Sequence, residues 1–198
     1  MHTRTVSFDM DGTLLTLPVD WPRLKVEVSR VLGRDVPSFR PLLRELWGSD
    51  EYWIVNEVVR RREMGSIAGS KLYPGVREVL QALSTKYRIY VVTLQSRAAA
   101  EAALEFQGIR RFIHGLITRE DAPDRLRQMR IVLRREGGSA VLVDDHLDQL
   151  VEITRAGLSV EIVWVCRRES QTCWEAATEF GFRGRIIRDL REILPLLM

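Results

Sequence analysis

From residue 72 onward the chain alternates short apolar runs with amphipathic stretches of about ten residues, and no other feature constrains its fold as strongly. Residues 87–93, 115–118, 140–143, 161–165 and 185–187 read as strands. Residues 74–83, 98–106, 123–136, 147–157 and 174–181 read as helices, several stopped by a glycine, and a last helix is expected over about 189–197. The run Ala140, Val141, Leu142, Val143 is apolar throughout, as a strand buried on both faces requires. Strands joined by helical crossovers imply a parallel sheet, so the expected fold class is α/β, a three-layer α/β/α Rossmann-like sandwich.

A further strand is expected over residues 4–9, and the pattern is then interrupted. Residues 20–33 carry apolar positions at Leu24, Val28, Val31 and Leu32, with Pro22 early and Gly33 at the end. Two more helices are expected over 39–47 and 50–64, and residues 65–70 read as a flexible connection. The resulting division is an α/β core formed by 1–15 and 72–198, with residues 16–71 inserted as a helical cap.

Ligands of an open parallel sheet bind at the carboxyl ends of its strands. Three strands here end in polar groups: Asp9 and Asp11 with Gly12 and Thr13, then Thr93 with Leu94 and Gln95, then Asp144 and Asp145 with His146 and Asp148. Each segment taken alone could be a turn or a helix cap. Together they would gather several carboxylates in one cleft. Such a cluster must hold a proton or bind a cation, and oxygen-only ligands select a hard ion such as Mg2+.

The segment Phe8, Asp9, Met10, Asp11, Gly12, Thr13, Leu14, Leu15 resembles the first motif of the haloacid dehalogenase superfamily. The stretches Lys71 to Val76, Val91 to Thr93 and Val141 to Asp145 follow in that family's order, most similar to its phosphoglycolate phosphatase group with a helical cap. The resemblance implies Asp9 as a nucleophile that forms an aspartyl-phosphate and Asp11 as general acid and base. It implies Thr93 as a donor to the phosphoryl group, and Gly12, Thr13, Leu94 and Gln95 as the substrate-binding surround. Mg2+ would be held by Asp9, the Asp11 carbonyl and one of Asp144 and Asp145, with Asp145 preferred. Asp148 would orient a metal-bound water, and His146 reads as an incidental loop residue.

The family's lysine has no counterpart, since Lys25, Lys71 and Lys86 are the only lysines and 27 of the 30 basic residues are arginines. Arg127 is the first choice for that charge and Arg125 the second, ahead of Arg130. The expected activity is hydrolysis of a small-molecule phosphomonoester. The alternatives are a phosphotransferase or sugar-phosphate mutase on the same site, or a catalytically weakened phosphate-binding protein.

The mild net charge of +3 and the acids interspersed among the arginine clusters favour solvated helix faces over a nucleic-acid footprint. No run of about 18 apolar residues is present, so no membrane partner is expected. The start of the chain lacks a basic region followed by an apolar run, which makes the cytoplasm the expected compartment. The oligomeric expectation is a monomer or homodimer. Cys166 and Cys173 are expected to be reduced thiols. Trp47, Tyr52, Trp53 and Arg60 to Arg62 are the insert's candidates for substrate contact, the aromatics being weighed against a place in the core.

Overall fold

The computed structural model describes residues 4–197. Its centre is a six-stranded, all-parallel sheet built from β1 (Arg4–Phe8), β4 (Tyr87–Val92), β5 (Gly115–Ile117), β6 (Ala140–Asp144), β7 (Val160–Val165) and β8 (Arg185–Ile187). The spatial order is β5-β4-β1-β6-β7-β8. The expected three-layer sandwich is therefore present. Alternate strand positions feed two cores. Val6, Phe8, Ile89 and Val91 pack against α4 (Val76–Ser84) and α5 (Arg97–Phe106). Tyr90, Val92, Leu142 and Trp164 pack against α6 (Arg125–Glu136), α7 (Leu147–Arg155) and α8 (Ser170–Glu179) on the other face. The chain changes face around β1, which opens a crevice at the carboxyl ends of β1, β4 and β6.

Two short strands escape a reading by periodicity: β2 (Leu15–Thr16) and β3 (Lys71–Leu72) pair antiparallel. Between them lie α1 (Trp21–Leu32), α2 (Phe39–Leu46) and α3 (Asp50–Ser66). In α1, Asp20 caps the start by accepting from the Arg23 N–H at 3.0 Å, and Gly33 ends it in the left-handed region at φ 64°. Residues 65–70 are not a loose connection. Helix α3 runs through Gly65, and a 3-10 turn at Ile67–Gly69 leads straight into β3. Helix α8 starts at Ser170, earlier than expected, and α4 starts at Val76 rather than at Pro74. The chain ends in a 3-10 turn (Leu190–Ile193) and a short helix α9 (Leu194–Leu197).

The three-helix insert is bound tightly to the core. Arg119, in the loop after β5, and Glu63 of α3 form an ion pair in which both side chains are buried. Arg119 also donates to the Leu94 carbonyl at 3.0 Å and to Asn56 Oδ1, while Glu63 accepts from the Ser96 N–H at 3.1 Å. The Arg119 carbonyl takes the Tyr52 hydroxyl at 2.9 Å and the Trp47 indole N–H at 3.1 Å. No polar atom of the Arg119–Glu63 pair is left without a partner, the condition under which a buried ion pair is tolerated.

Cys166 and Cys173 are joined in a disulfide, which corrects the expectation of thiols. The chain leaves β7, turns and enters α8, so the first turn of that helix brings Cys173 back to within 6.1 Å, Cα to Cα, of Cys166. Counting cysteines carries no information about such a return. No helix among the described residues is long and apolar enough to cross a membrane.

Candidate active site

Asp9 follows the last residue of β1, and its backbone N–H still donates to the Val143 carbonyl of β6 at 2.9 Å. Past it the chain makes a tight turn: Leu14 and Leu15 return their N–H groups to the Met10 carbonyl, and the buried Met10, Leu14 and Leu15 anchor that turn. Gly12 is required here. Its φ is +94°, and a Cβ would sit 2.3 Å from Asp145 Oδ2. This close approach brings the ends of β1 and β6 together, and the Thr13 hydroxyl completes it by donating to Asp145 Oδ1 at 3.3 Å.

Arg125 occupies the middle of the acidic group. Its Nη2 donates to Asp9 Oδ1, its Nε to Asp144 Oδ2 at 2.7 Å, and its Nη1 to Gln128 Oε1 at 2.7 Å and to the Val92 carbonyl. All of these groups are buried. Arg127 is elsewhere: half exposed, it binds back to Asp124 at 3.1 Å. Of the two candidates for the basic position, the structure therefore sets the second choice, Arg125, against Asp9 and leaves the first choice, Arg127, away from it. The cause is the helix start. Asp124 is the N-cap, accepting from the Arg127 N–H at 2.8 Å, so Arg125 is the first helical residue and Arg127 the third, about 200° further round the axis. The N-cap preference of aspartate was the available signal.

The two acids at the end of β6 take different partners. Asp144 has a donor on each oxygen, Arg125 on Oδ2 and the His146 N–H on Oδ1 at 2.8 Å. Asp145 is partly exposed and meets only the Thr13 hydroxyl and the His146 ring. The His146 Nδ1 lies 3.4 Å from Asp144 and 3.1 Å from Asp145, and these two carboxylates push the ring's pKa up. Asp148 is exposed and takes Arg40 of α2 at 3.0 Å, and it borders a surface depression with Gly12, Asp145 and His146.

Thr93 and Gln95 are buried beside Asp9, and the Thr93 Oγ1 accepts the Gln95 N–H at 3.2 Å, leaving the hydroxyl hydrogen free to donate. Asp11 accepts the Leu17 N–H at 2.8 Å. Burial drives the Asp11 carboxyl up to about 6, against the pull of that hydrogen bond and with a further push from Asp145. Asp9 is raised well above the usual range by burial, pulled back by Arg125, and raised again by Asp144 and Asp145. One carboxylate oxygen, Asp9 Oδ2, is buried without any partner. These groups share a cavity of about 290 Å3 with Trp21, Phe39, Leu43, Tyr52 and Val59 of the insert.

The acids fit a hard cation. Ligand atoms of Asp9, Asp144, Asp145 and His146 lie within 4.8 Å of one another. Asp9 Oδ2 takes no hydrogen bond and Asp145 is the more open of the acids, whereas each Asp144 oxygen already has one donor.

Residues 3–157 match the haloacid dehalogenase-like hydrolase family. This chain belongs to it. Among solved structures, a haloacid dehalogenase-like family hydrolase from Streptococcus pneumoniae aligns over 100% of both chains at 17% identity, with a TM-score of 0.70. A predicted phosphoglycolate phosphatase from Haemophilus somnus covers 100% of this chain and 99% of its own at 16% identity and a TM-score of 0.67. A magnesium-bound protein from Bacillus subtilis covers 100% and 99% at 15% identity and 0.63. At these identities the likeness concerns the fold. No curated protein matches. Within this hydrolase family the chain has an arginine, from the start of α6, against its first-motif aspartate.

Proposed function

We propose that this hydrolase is a Mg2+-dependent phosphatase acting on a small-molecule phosphomonoester through an aspartyl-phosphate on Asp9. The observation that carries the reading is Asp9 itself. One carboxylate oxygen is held by Arg125 while the other is buried, unpartnered and at the floor of the cavity. A carboxylate fixed through one oxygen presents the other for attack.

Oδ2 of Asp9 attacks phosphorus as the bond from phosphorus to the ester oxygen breaks, and Asp11, raised to about 6, gives its proton to that oxygen. Asp11, now a carboxylate, takes a proton from water as the water oxygen attacks phosphorus, releasing phosphate and restoring Asp9. The Thr93 hydroxyl donates to the phosphoryl oxygens throughout. Mg2+, held by Asp9, the Asp11 carbonyl and Asp145, would neutralise charge on the transferring group. Asp144, with Arg125 on one oxygen and the His146 N–H on the other, serves as the counter-ion that holds Arg125 in place.

Residues 16–71 act as a cap and 1–15 with 72–198 as the core, the β2–β3 pair being the neck where the chain leaves and returns. The aromatic and aliphatic side chains of α1, α2 and α3 close the cavity and exclude water from the aspartyl-phosphate.

The test is release of inorganic phosphate from a panel of phosphomonoesters with Mg2+ and with EDTA, for the wild type and Asp9→Asn. Turnover that requires Mg2+ and Asp9 supports the reading. Turnover retained by Asp9→Asn removes the nucleophile assignment. Transfer to an added sugar hydroxyl instead of water would favour a phosphotransferase.

A further inference from the structure

The wall of the cavity opposite Asp9 is built from the insert, and its chemistry is one-sided. Phe39 and Leu43 come from α2, Tyr52 and Val59 from α3, and Trp21 from the start of α1. The Trp21 and Phe39 rings lie 5.6 Å apart, centroid to centroid, tilted at 54°. Both remain partly exposed, although an aromatic pair on a closed core would be covered.

The cations of the cavity are all engaged. Arg125 lies on Asp9 and Asp144. Arg119 is sealed against Glu63 and Asn56. Arg40, at the rim, gives both hydrogen bonds of one guanidinium nitrogen to the two oxygens of Asp148, at 3.2 and 3.0 Å. No lysine lines the space, and the histidine there, His146, stands between Asp144 and Asp145. An anionic group reaching past phosphorus would therefore meet an apolar wall or a cation already facing a carboxylate. A second negative charge there would be desolvated with only already paired cations and neutral polar groups to offset it. Neutral polar groups on offer include Ser38, Gln149 and Gln95, and the Gln95 side-chain oxygen is buried without a hydrogen-bond partner.

We propose that the substrate is a phosphomonoester whose organic part is uncharged and carries a flat or branched apolar face, seated against Trp21 and Phe39, and that a second anion, as in phosphoglycolate, is selected against. This rests on the phosphatase reading above and names its substrate class. The pocket discriminates by burying apolar surface at the insert wall and by offering no unpaired cation. A buried ring displaces water from Phe39, Leu43 and Val59, whereas a methyl ester leaves them wet.

The experiment measures kcat/KM with Mg2+ for benzyl phosphate, methyl phosphate and phosphoglycolate. All three are alkyl esters, so leaving-group acidity does not set the order. Benzyl phosphate is expected to exceed each of the others by about tenfold or more, the scale of a few apolar carbons in a pocket. Phe39→Ala and Trp21→Ala should each reduce the benzyl-to-methyl ratio by about fivefold, chiefly through KM for benzyl phosphate. Trp21 is at the rim, so its variant remains informative if Phe39→Ala fails to fold. A preference for phosphoglycolate, or an unchanged ratio in both variants, overturns the assignment. Absence of turnover with every ester instead overturns the phosphatase reading, and the substrate class falls with it.

Discussion

Arg125 gives the sharpest test of the site, because removing it strips two buried carboxylates of their counter-charge at once. Unit charges about 4 Å apart interact by roughly 4 kcal/mol at an effective dielectric near 20. Loss of that interaction disfavours the ionised Asp9 carboxylate by the same amount, and about 4 kcal/mol corresponds to roughly a thousandfold in rate. Arg125→Ala should therefore lower kcat/KM for a phosphomonoester by roughly a thousandfold. It should also cost about 3–5 kcal/mol of stability, the penalty for breaking a buried pair from one side. The unpaired carboxyls will titrate higher in the folded chain than in the unfolded one. That state favours protons, so the variant should be less destabilised at pH 5 than at pH 8. Arg125→Lys keeps the charge but cannot span Asp9, Asp144 and the Val92 carbonyl together, and should fall between the two. Arg127→Ala, which removes only an exposed contact to Asp124, should stay within about twofold. The assays are steady-state phosphate release and urea unfolding at both pH values. If Arg125→Ala keeps activity within tenfold of the wild type, or if Arg127→Ala is the more damaged, the reasoning fails.

Three further outcomes are expected. Asp9→Asn should abolish turnover and leave no hydroxylamine-sensitive phosphoprotein after incubation with labelled substrate, and an undiminished label would place the covalent step elsewhere. Reduction of the Cys166–Cys173 disulfide should cost about 2–3 kcal/mol, the closure entropy of a loop this short, and calorimetry with and without a dithiol reads it as a lower melting temperature. For Glu136, burial works to raise the carboxyl, but the Tyr90 hydroxyl and Arg88 hold it below its ordinary range. A carboxyl more acidic when folded stabilises fully above its unfolded value and loses that contribution as pH falls through the folded one. Urea midpoints of wild type and Glu136→Gln should therefore differ most near neutrality and converge below about pH 4; a gap that widens in acid would contradict the assignment.

How much was legible in the sequence follows from how local each signal is. Strands and helices declare themselves by period, and Asp9, Thr93 and Asp144 declare themselves by ending strands, because both depend on neighbours in the chain. The parallel order of the sheet then follows from crossover rules. The failures are long-range or depend on phase. Arg125 and Arg127 differ by two residues, yet one faces the sheet and the other solvent, and only the position of the Asp124 cap separates them. Arg40 pairs with Asp148 through a contact 108 residues away in sequence, which no local pattern encodes. The β2–β3 neck is two residues a side, too short for any periodicity. The buried Arg119–Glu63 pair joins residues 56 apart in sequence, and no local pattern marks either charge for burial.

The arginine itself explains why the acids at the end of β6 are two. An ammonium at the position of the guanidinium could neutralise Asp9 but would present a single point charge. The fork at Arg125 points Nη2 at one carboxylate and Nε at another, so its orientation is fixed only if the second carboxylate exists. Asp144 is that second acid. Each of its oxygens has a donor, Arg125 on one and the His146 N–H on the other. Asp145, one residue on, points the opposite way toward Gly12 and keeps its outer face open. The tandem pair thus divides into a carboxylate that aims the arginine and a carboxylate left for a cation, and the first depends on arginine standing where it does. Replacing Arg125 by lysine alone consequently does more than exchange one cation for another: it leaves Asp144 with an unsatisfied oxygen in the interior.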